Sequence, residues 1–127
     1  MKVGLKNEAA VVVSDKNTAA AVKSGTLPVF ATPMMTALME EAAAGLLEKY
    51  LPDEETSVGI SISVEHKAAT PVGMNVRAVA EITAVDGRKI SFGVKAFDEK
   101  EEIGAGTHER FIVRKEKFMM KAESKKA

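Results

Sequence analysis

Three side chains of this 127-residue sequence could form an acid–base or nucleophilic group: Thr32, Glu40 and His66. Thr32 and Glu40 are a little over two helical turns apart in an apolar stretch, so we expect them on related sides of one helix. His66 ends an alternating run that should face this helix. A carboxylate, an imidazole and a hydroxyl that meet could position water, move protons or form a transient acyl adduct.

Each of these residues also has a structural interpretation. Thr32 followed by Pro33 is typical of a helix cap and first turn. Glu40 could reach solvent or cross an interface to a basic residue, and His66 could be a hydrogen-bonded core histidine. Gly59 could mark a β-bulge or a position where a ligand approaches the backbone. Spacing alone therefore leaves catalytic and structural roles open.

The stretch from Thr32 to Tyr50 predicts a buried helix that would position two of these residues. From Met34 to Leu47, only Glu40 and Glu41 are charged. A helix that is apolar nearly all round is enclosed by other structure. At roughly 20 Å it is too short to span a bilayer. The run AAAG at 42–45 gives it a flank without bulk, which would let another backbone approach.

Alternating residues elsewhere predict strands around this helix. The predicted strands are 2–13, 56–66, 74–85, 89–97 and 101–113, with a short helical piece at 18–23. In the strand 56–66, the side chains expected to share one face are Val58, Ile60, Ile62, Val64 and His66. In the last strand, we interpret His108 as structural because glycines nearby suggest tight packing.

The order of these elements predicts an α+β fold. A strand and the buried helix are followed by four strands, which we expect to form an antiparallel meander that curls around the helix. The chain length suits one domain, 1–127, in which residues 114–127 form a partly helical or frayed tail.

The composition narrows the possible partners and location. The 18 basic residues balance the 18 acidic residues, which argues against nucleic-acid binding. With no cysteine and two histidines, a zinc site is a poor hypothesis. We expect a cytoplasmic protein with no membrane partner, because no signal peptide or membrane-spanning stretch is recognisable.

Several motifs together carry a resemblance to a known family. They are VFATPMMTALMEEAA at 29–43, TSVGISISVEHKAATPVGMNVRAVAEIT at 56–83, VDGRKISFGVKAFDE at 85–99 and EEIGAGTHERFIVRKEKF at 101–118. Through them, and through the N-terminal segment, the chain resembles the hot-dog-fold thioesterases and, within them, the fluoroacetyl-CoA thioesterase-like family. The resemblance covers nearly the whole chain and implies a curved antiparallel sheet wrapped around one central helix.

The resemblance also implies roles for individual residues. Thr32, Glu40 and His66 match the family's catalytic threonine, glutamate and histidine. Gly59 matches a glycine whose backbone N–H lies near the acyl carbonyl, and the other candidates for substrate binding are Phe30 and Pro33. As candidates for binding the phosphates of coenzyme A we name Lys67, Arg77, Arg88 and Arg110.

The predicted function is hydrolysis of a short-chain acyl-CoA thioester to free acid and CoA, with no cofactor beyond the CoA of the substrate. The resemblance implies a homodimer, or a higher oligomer, whose sheets join edge to edge through strand 56–66 with the site at the interface. The segment 22–28 lacks the aromatic residue that fluoroacetyl-specific members carry, so selectivity for fluorine is not implied. The alternatives are a non-catalytic binder of acyl-CoA or another small ligand, and a hot-dog hydratase or dehydratase.

Overall fold

The computed structural model of the protein describes residues 1–126 and contains one antiparallel sheet with one long helix against it. The elements are β1 Lys6–Val12, α1 Ala19–Val22, α2 Thr32–Glu48, β2 Glu55–His66, β3 Asn75–Asp86, β4 Lys89–Phe97, β5 Glu102–Arg114 and α3 Lys115–Glu123, followed by a 3₁₀ turn, Ser124–Lys126. The predicted tail forms α3 and this turn up to residue 126, and Ala127 lies outside the described residues.

The sheet order is β1-β3-β4-β5-β2, and all neighbouring strands are antiparallel. Strands β3, β4 and β5 form a meander, but β2 pairs with β5 and occupies one edge of the sheet. The prediction of a four-stranded meander is therefore wrong for β2. The connection from β2 to β3 is no tight hairpin turn: it runs past the start of α2, where Phe30 N donates to Thr70 O at 2.9 Å.

The core lies between α2 and the inner face of the sheet. Alternate residues of β3 and β4 are buried there: Val76, Ala78, Ala80, Ile82, Ile90, Phe92, Val94 and Ala96. From α2 the core receives Met35, Leu38, Met39, Ala42, Ala43, Leu46 and Leu47. The sheet therefore encloses a central apolar helix, as predicted. Among residues 1–126, no helix has both the length and the hydropathy needed to cross a membrane.

The small residues of α2 let β1 approach closely. Asn7 Nδ2 donates to Ala42 O at 3.0 Å, and a Cβ on Gly45 would lie 3.0 Å from the same nitrogen. A larger side chain at Gly45 would push against this contact. The flank 42–45 therefore admits a side chain of β1 against the helix, and the close approach of another backbone stays a prediction.

Helix α2 begins differently from the prediction. Its N-cap residue is Ala31, whose backbone is extended, and Thr32 is already the first helical residue. No side chain caps the helix, so the predicted capping role of Thr32 is wrong. Because its hydroxyl is not engaged by the helix backbone, Thr32 can offer it to another partner.

Strand β2 contains a β-bulge next to Gly59, which is one of the two roles that the sequence left open for this glycine. Gly59 pairs with Arg110 and Ser61 pairs with Glu109, which leaves Ile60 as the extra residue. A bulge reverses which residues point to which face, because side chains alternate along a strand. Ile60 is accordingly half exposed.

The bulge changes which residues of β2 face α2. Before it, Ser57 and Gly59 point towards the helix, and after it Val64 and His66 do. The prediction that Val58 and Ile60 share a face with His66 is therefore wrong. The glycine of the predicted substrate site owes its inward position to this irregularity.

Candidate active site

A hydroxyl and an imidazole meet where α2 begins and β2 ends. Thr32 Oγ1 lies 2.8 Å from His66 Nδ1. Burial lowers the pKa of His66, and the nearby Ala68 carbonyl opposes this shift without cancelling it, so the ring is neutral near pH 7. The other ring nitrogen, Nε2, is buried without a hydrogen-bond partner in residues 1–126. A buried nitrogen of this kind is suited to a ligand or a water molecule.

This pair opens on a small pocket of about 270 Å³. The lining residues are Ala19, Ser24, Val29, Phe30, Thr32, His66, Lys67, Ala68 and Ala69. Of the predicted substrate-binding residues, Phe30 contributes to this lining, whereas Pro33 is exposed and does not. The volume is near the lower limit for small-molecule sites, which favours a short group.

The third predicted residue, Glu40, lies in the middle of α2 beside the bulge. Its Oε2 accepts from Arg110 Nη1 at 3.2 Å, and its side chain is 40% exposed. A Cβ on Gly59 would lie 2.5 Å from this oxygen. Only a glycine therefore leaves room for the carboxylate in this position, so Gly59 is placed against Glu40.

Arg110 is buried and holds Glu40 from the neighbouring strand β5. Its Nε donates to Ser57 Oγ at 2.8 Å and its Nη2 to Ser57 O at 3.1 Å. Desolvation lowers the pKa of Arg110, and the charge of Glu40 opposes this. Because its donors are engaged inside the protein, Arg110 does not fit the predicted role in binding CoA phosphates.

His108 completes this cluster and is almost fully buried. Its Nδ1 lies 2.7 Å from Ser61 O, its Nε2 lies 3.2 Å from Arg110 Nη1, and its ring stacks on Phe92 with centroids 5.9 Å apart. The sequence interpretation missed this polar environment. The available signal was the pair of polar residues at alternate positions, 108 and 110, on the face of β5 that also carries buried Ile112.

The two clusters are separate within one chain. Glu40 is eight positions after Thr32 in α2, which corresponds to a rise of about 12 Å. The structure therefore brings Thr32 and His66 together, but it does not bring Glu40 to them. Within one chain the three side chains do not all meet where strand and helix pack, because residues eight apart on a helix lie on related faces but at different heights; the family resemblance, which implies a site at a subunit interface, leaves open which subunit supplies each residue.

The remaining phosphate candidates lie in different places. Arg77 is on the opposite face of the sheet, 4.4 Å above the Phe97 ring, and lines a surface concavity of about 520 Å³. This concavity contains neither cluster, so we do not assign the chemistry to it. Arg88 donates to Ile112 O and Glu55 at 3.3 Å.

Lys67 is the only one of these candidates that lines the pocket of Thr32 and His66. Its Nζ lies 2.6 Å from Glu102 Oε2, and its side chain is about half exposed. A cation in this position, at the mouth of the pocket, could contact an anionic group that extends from a bound ligand.

Comparison with known proteins identifies the family. The model of the family described as fluoroacetyl-CoA-specific thioesterase matches residues 13–116. A fluoroacetyl-CoA thioesterase from Streptantibioticus cattleyicolor is 46% identical over 97 residues, which are 76% of this chain and 70% of that protein. The chain belongs to the fluoroacetyl-CoA thioesterase family.

Solved structures confirm the fold of this family member. A mutant of the fluoroacetyl-CoA thioesterase FlK in complex with acetyl-CoA superposes with a TM-score of 0.94 at 38% identity, covering 100% of both chains. A hot-dog-like protein from Thermanaerovibrio acidaminovorans gives 0.89 at 22% identity, covering 98% of this chain and 93% of that one. The prediction of a hot-dog fold is thereby confirmed.

Proposed function

We propose that this thioesterase hydrolyses short-chain acyl-CoA thioesters to the free acid and CoA. Membership of the family makes the chain a thioester hydrolase. The relative from Streptantibioticus cattleyicolor is named for fluoroacetyl-CoA, and one FlK structure contains acetyl-CoA. The observation that carries the proposal for this chain is the 2.8 Å contact of Thr32 with His66, beside a pocket sized for a short acyl group.

The proposed reaction uses groups of the chain and one water molecule. The backbone N–H of Gly59 or the start of α2 polarises the thioester carbonyl. Glu40 either takes a proton from water, which attacks the carbonyl carbon, or attacks it directly to give an anhydride that water then opens. The carbon–sulfur bond breaks and the sulfur leaves as a thiolate. No cofactor beyond the CoA of the substrate is needed.

His66 and Thr32 serve the leaving group in this scheme. If the Thr32 hydroxyl donates to Nδ1, the proton of the neutral ring is on Nε2, the nitrogen that has no partner among residues 1–126. From there it can pass to the departing thiolate. The Thr32 hydroxyl thereby fixes the ring, or orients the water, and forms no covalent bond.

A second copy of the chain would join the two clusters. Strand β2 is at an edge of the sheet, where one side of its backbone can pair with another chain. We propose a homodimer in which two β2 strands pair antiparallel about a twofold axis near Ile62 or Ser63. In this arrangement Gly59 of the partner subunit approaches His66, and Glu40 of the partner subunit comes with it.

Two further parts of the proposal concern selectivity and location. The segment 22–28 contains no aromatic side chain to close over a fluorinated acyl group. We therefore propose general activity on the CoA thioesters of short acyl groups. Lys67 contacts the CoA portion of the substrate. We propose that the enzyme is cytoplasmic.

The experiment is a free-thiol assay with acyl-CoAs of graded chain length. We expect the wild-type protein to release CoA from the shortest substrates. Glu40→Ala and His66→Ala should each lower kcat by at least about a hundredfold, because each removes a proton-transfer group. The matched control is Glu41→Ala, which removes an exposed neighbouring carboxylate and should keep kcat.

Three results would contradict the proposal. Wild-type turnover in both Glu40→Ala and His66→Ala would reject the catalytic assignment. Binding of acyl-CoAs without thiol release would favour a non-catalytic binder, and hydration of an enoyl-CoA without thiol release would favour a hydratase.

A further inference from the structure

The hydrogen bonds around His108 define the state of its ring. The Ser61 carbonyl can only accept, so the proton of the 2.7 Å bond is on Nδ1. Burial lowers the pKa of His108, so the ring is neutral and Nε2 carries a lone pair. This lone pair accepts a hydrogen from Arg110 Nη1 at 3.2 Å.

The same nitrogen of Arg110 also serves Glu40. Nη1 carries two hydrogens in the rigid plane of the guanidinium. Both His108 Nε2 and Glu40 Oε2 lie 3.2 Å from this nitrogen and accept from it. Because the directions of the two hydrogens are fixed relative to each other, an acceptor that fixes one hydrogen also aims the other.

Glu40 itself is held at one oxygen. Its Oε2 is bound by Arg110, whereas its Oε1 makes no hydrogen bond within residues 1–126. His108 Nε2 is 3.8 Å from Oε2, which is beyond hydrogen-bond distance, and the neutral ring has no proton there to give. His108 therefore reaches the carboxylate only through Arg110.

We propose that His108 is a positioning residue for the reaction: as a hydrogen-bond acceptor it orients Arg110, which holds Glu40 Oε2 and leaves Oε1 to the attacking water. The inference rests on the proposed function, in which Glu40 acts on water or substrate. The chain of contacts runs from Ser61 O through His108 and Arg110 to Glu40. Residues beside the bulge of β2 lie at both ends of it: Ser61 accepts from His108, and Gly59 leaves room for the Glu40 carboxylate.

A purely structural role would not require this polar arrangement. His108 is 1% exposed, and an apolar side chain could fill the space without the cost of burying polar atoms. Arg110 would still have both of its hydrogen bonds to Ser57. Unlike an apolar side chain, the histidine supplies a hydrogen-bond acceptor to Arg110 Nη1, the nitrogen that also contacts Glu40.

Two polar substitutions at one position separate the two ring nitrogens. In His108→Gln, the amide oxygen can accept in the place of Nε2, whereas in His108→Asn the shorter amide can replace only Nδ1 and its bond to Ser61. We expect His108→Asn to lower kcat at least about tenfold with KM changed less than about threefold. We expect His108→Gln to keep kcat within about threefold of wild type.

A third variant tests whether His108 acts through Glu40. Added to Glu40→Ala, His108→Asn should lower the residual kcat no further, because the group that it positions is absent. Circular dichroism and thermal unfolding of each variant show that kcat refers to folded protein. Acyl-CoA hydrolysis is the readout throughout.

The possible failures are distinguishable. Equal losses in His108→Asn and His108→Gln, losses that follow the fraction unfolded, or a further loss in the Glu40→Ala background would overturn the positioning role alone. Wild-type kcat in His108→Asn would do the same. Absence of thiol release by the wild-type protein, or wild-type kcat in both Glu40→Ala and His66→Ala, would overturn the proposed function and, with it, this inference.

Discussion

Burial determines the protonation of both histidines. Desolvation is the largest cause of the lowered pKa of His66 and of His108. Their partners differ: His66 meets the Thr32 hydroxyl, whereas His108 lies between a carbonyl and the Arg110 guanidinium. Both rings are therefore neutral at neutral pH. A neutral His66 can donate from Nε2, and a neutral His108 can accept at Nε2.

The lowered pKa of His66 predicts how stability depends on pH. In the unfolded chain His66 takes up a proton near its ordinary pKa of 6.5, whereas the folded state resists protonation to a lower pH. Between these two values the unfolded state binds more protons, so the free energy of unfolding falls as pH falls through this window. Above pH 6.5, and below the folded pKa, the contribution of His66 stops changing.

Urea unfolding at fixed protein concentration measures this effect. We expect the wild-type protein to be less stable at pH 5.5 than at pH 7.5, and His66→Gln to lose part of this difference. In this variant His108 still contributes to the pH dependence of stability, because its pKa is also lowered. An undiminished pH difference in His66→Gln would show that His66 is not protected from protonation.

At the scale of elements, the alternation of residues in β2 did not indicate its bulge, which only the glycine at position 59 suggested. Residues 57–64 alternate without interruption in the sequence, yet pairing with β5 inserts Ile60 as an extra residue. Local periodicity contains no information about the partner strand, so the bulge was only one of two roles left open for Gly59, and the edge position of β2 was implied by the family resemblance alone. The helix α2 and strands β3 and β4 were predictable, because their patterns follow burial against a single core.

The bulge brings β2 close to α2, and Gly59→Ala tests this approach. The added Cβ would lie 2.5 Å from Glu40 Oε2 and 3.3 Å from Arg110 Nη1. The carboxylate is the end of a flexible side chain, so we expect it to move while the fold persists. The kcat should fall at least about tenfold, because a displacement of about 1 Å in a reacting group is costly.

The matched control is Gly93→Ala in β4, where the new Cβ would lie 3.7 Å from Thr83 Cγ2, an ordinary contact. This variant should keep both kcat and the unfolding midpoint. Gly59→Ala should keep its midpoint within a few degrees while losing activity. Wild-type kcat in Gly59→Ala would show that the position of Glu40 beside β2 is irrelevant to turnover.

At the scale of the whole molecule, each chain carries two parts of one proposed site. The Thr32–His66 pair and the Glu40–Arg110–His108 cluster lie along the same face of β2, about two helical turns apart. The three proposed catalytic residues come from the family motifs, but which of them meet within one chain was not predictable, because it depends on the height at which β2 crosses α2. The proposed homodimer through β2 would give two equivalent sites, each with parts from both subunits.

Mixing two inactive variants tests this account most directly. His66→Ala and Glu40→Ala are unfolded together, refolded as an equal mixture and assayed for CoA release. In a mixed dimer, one site receives both substituted residues and the other receives neither. Random pairing makes half of the dimers mixed, so the account predicts recovery of about a quarter of wild-type activity.

The control mixture is Thr32→Ala with His66→Ala, whose residues share one side of each site, and it should recover no activity. Recovery in the first mixture and none in the second is the predicted result. No recovery in the first mixture, while refolded wild-type protein regains its activity, would contradict a site assembled from two subunits.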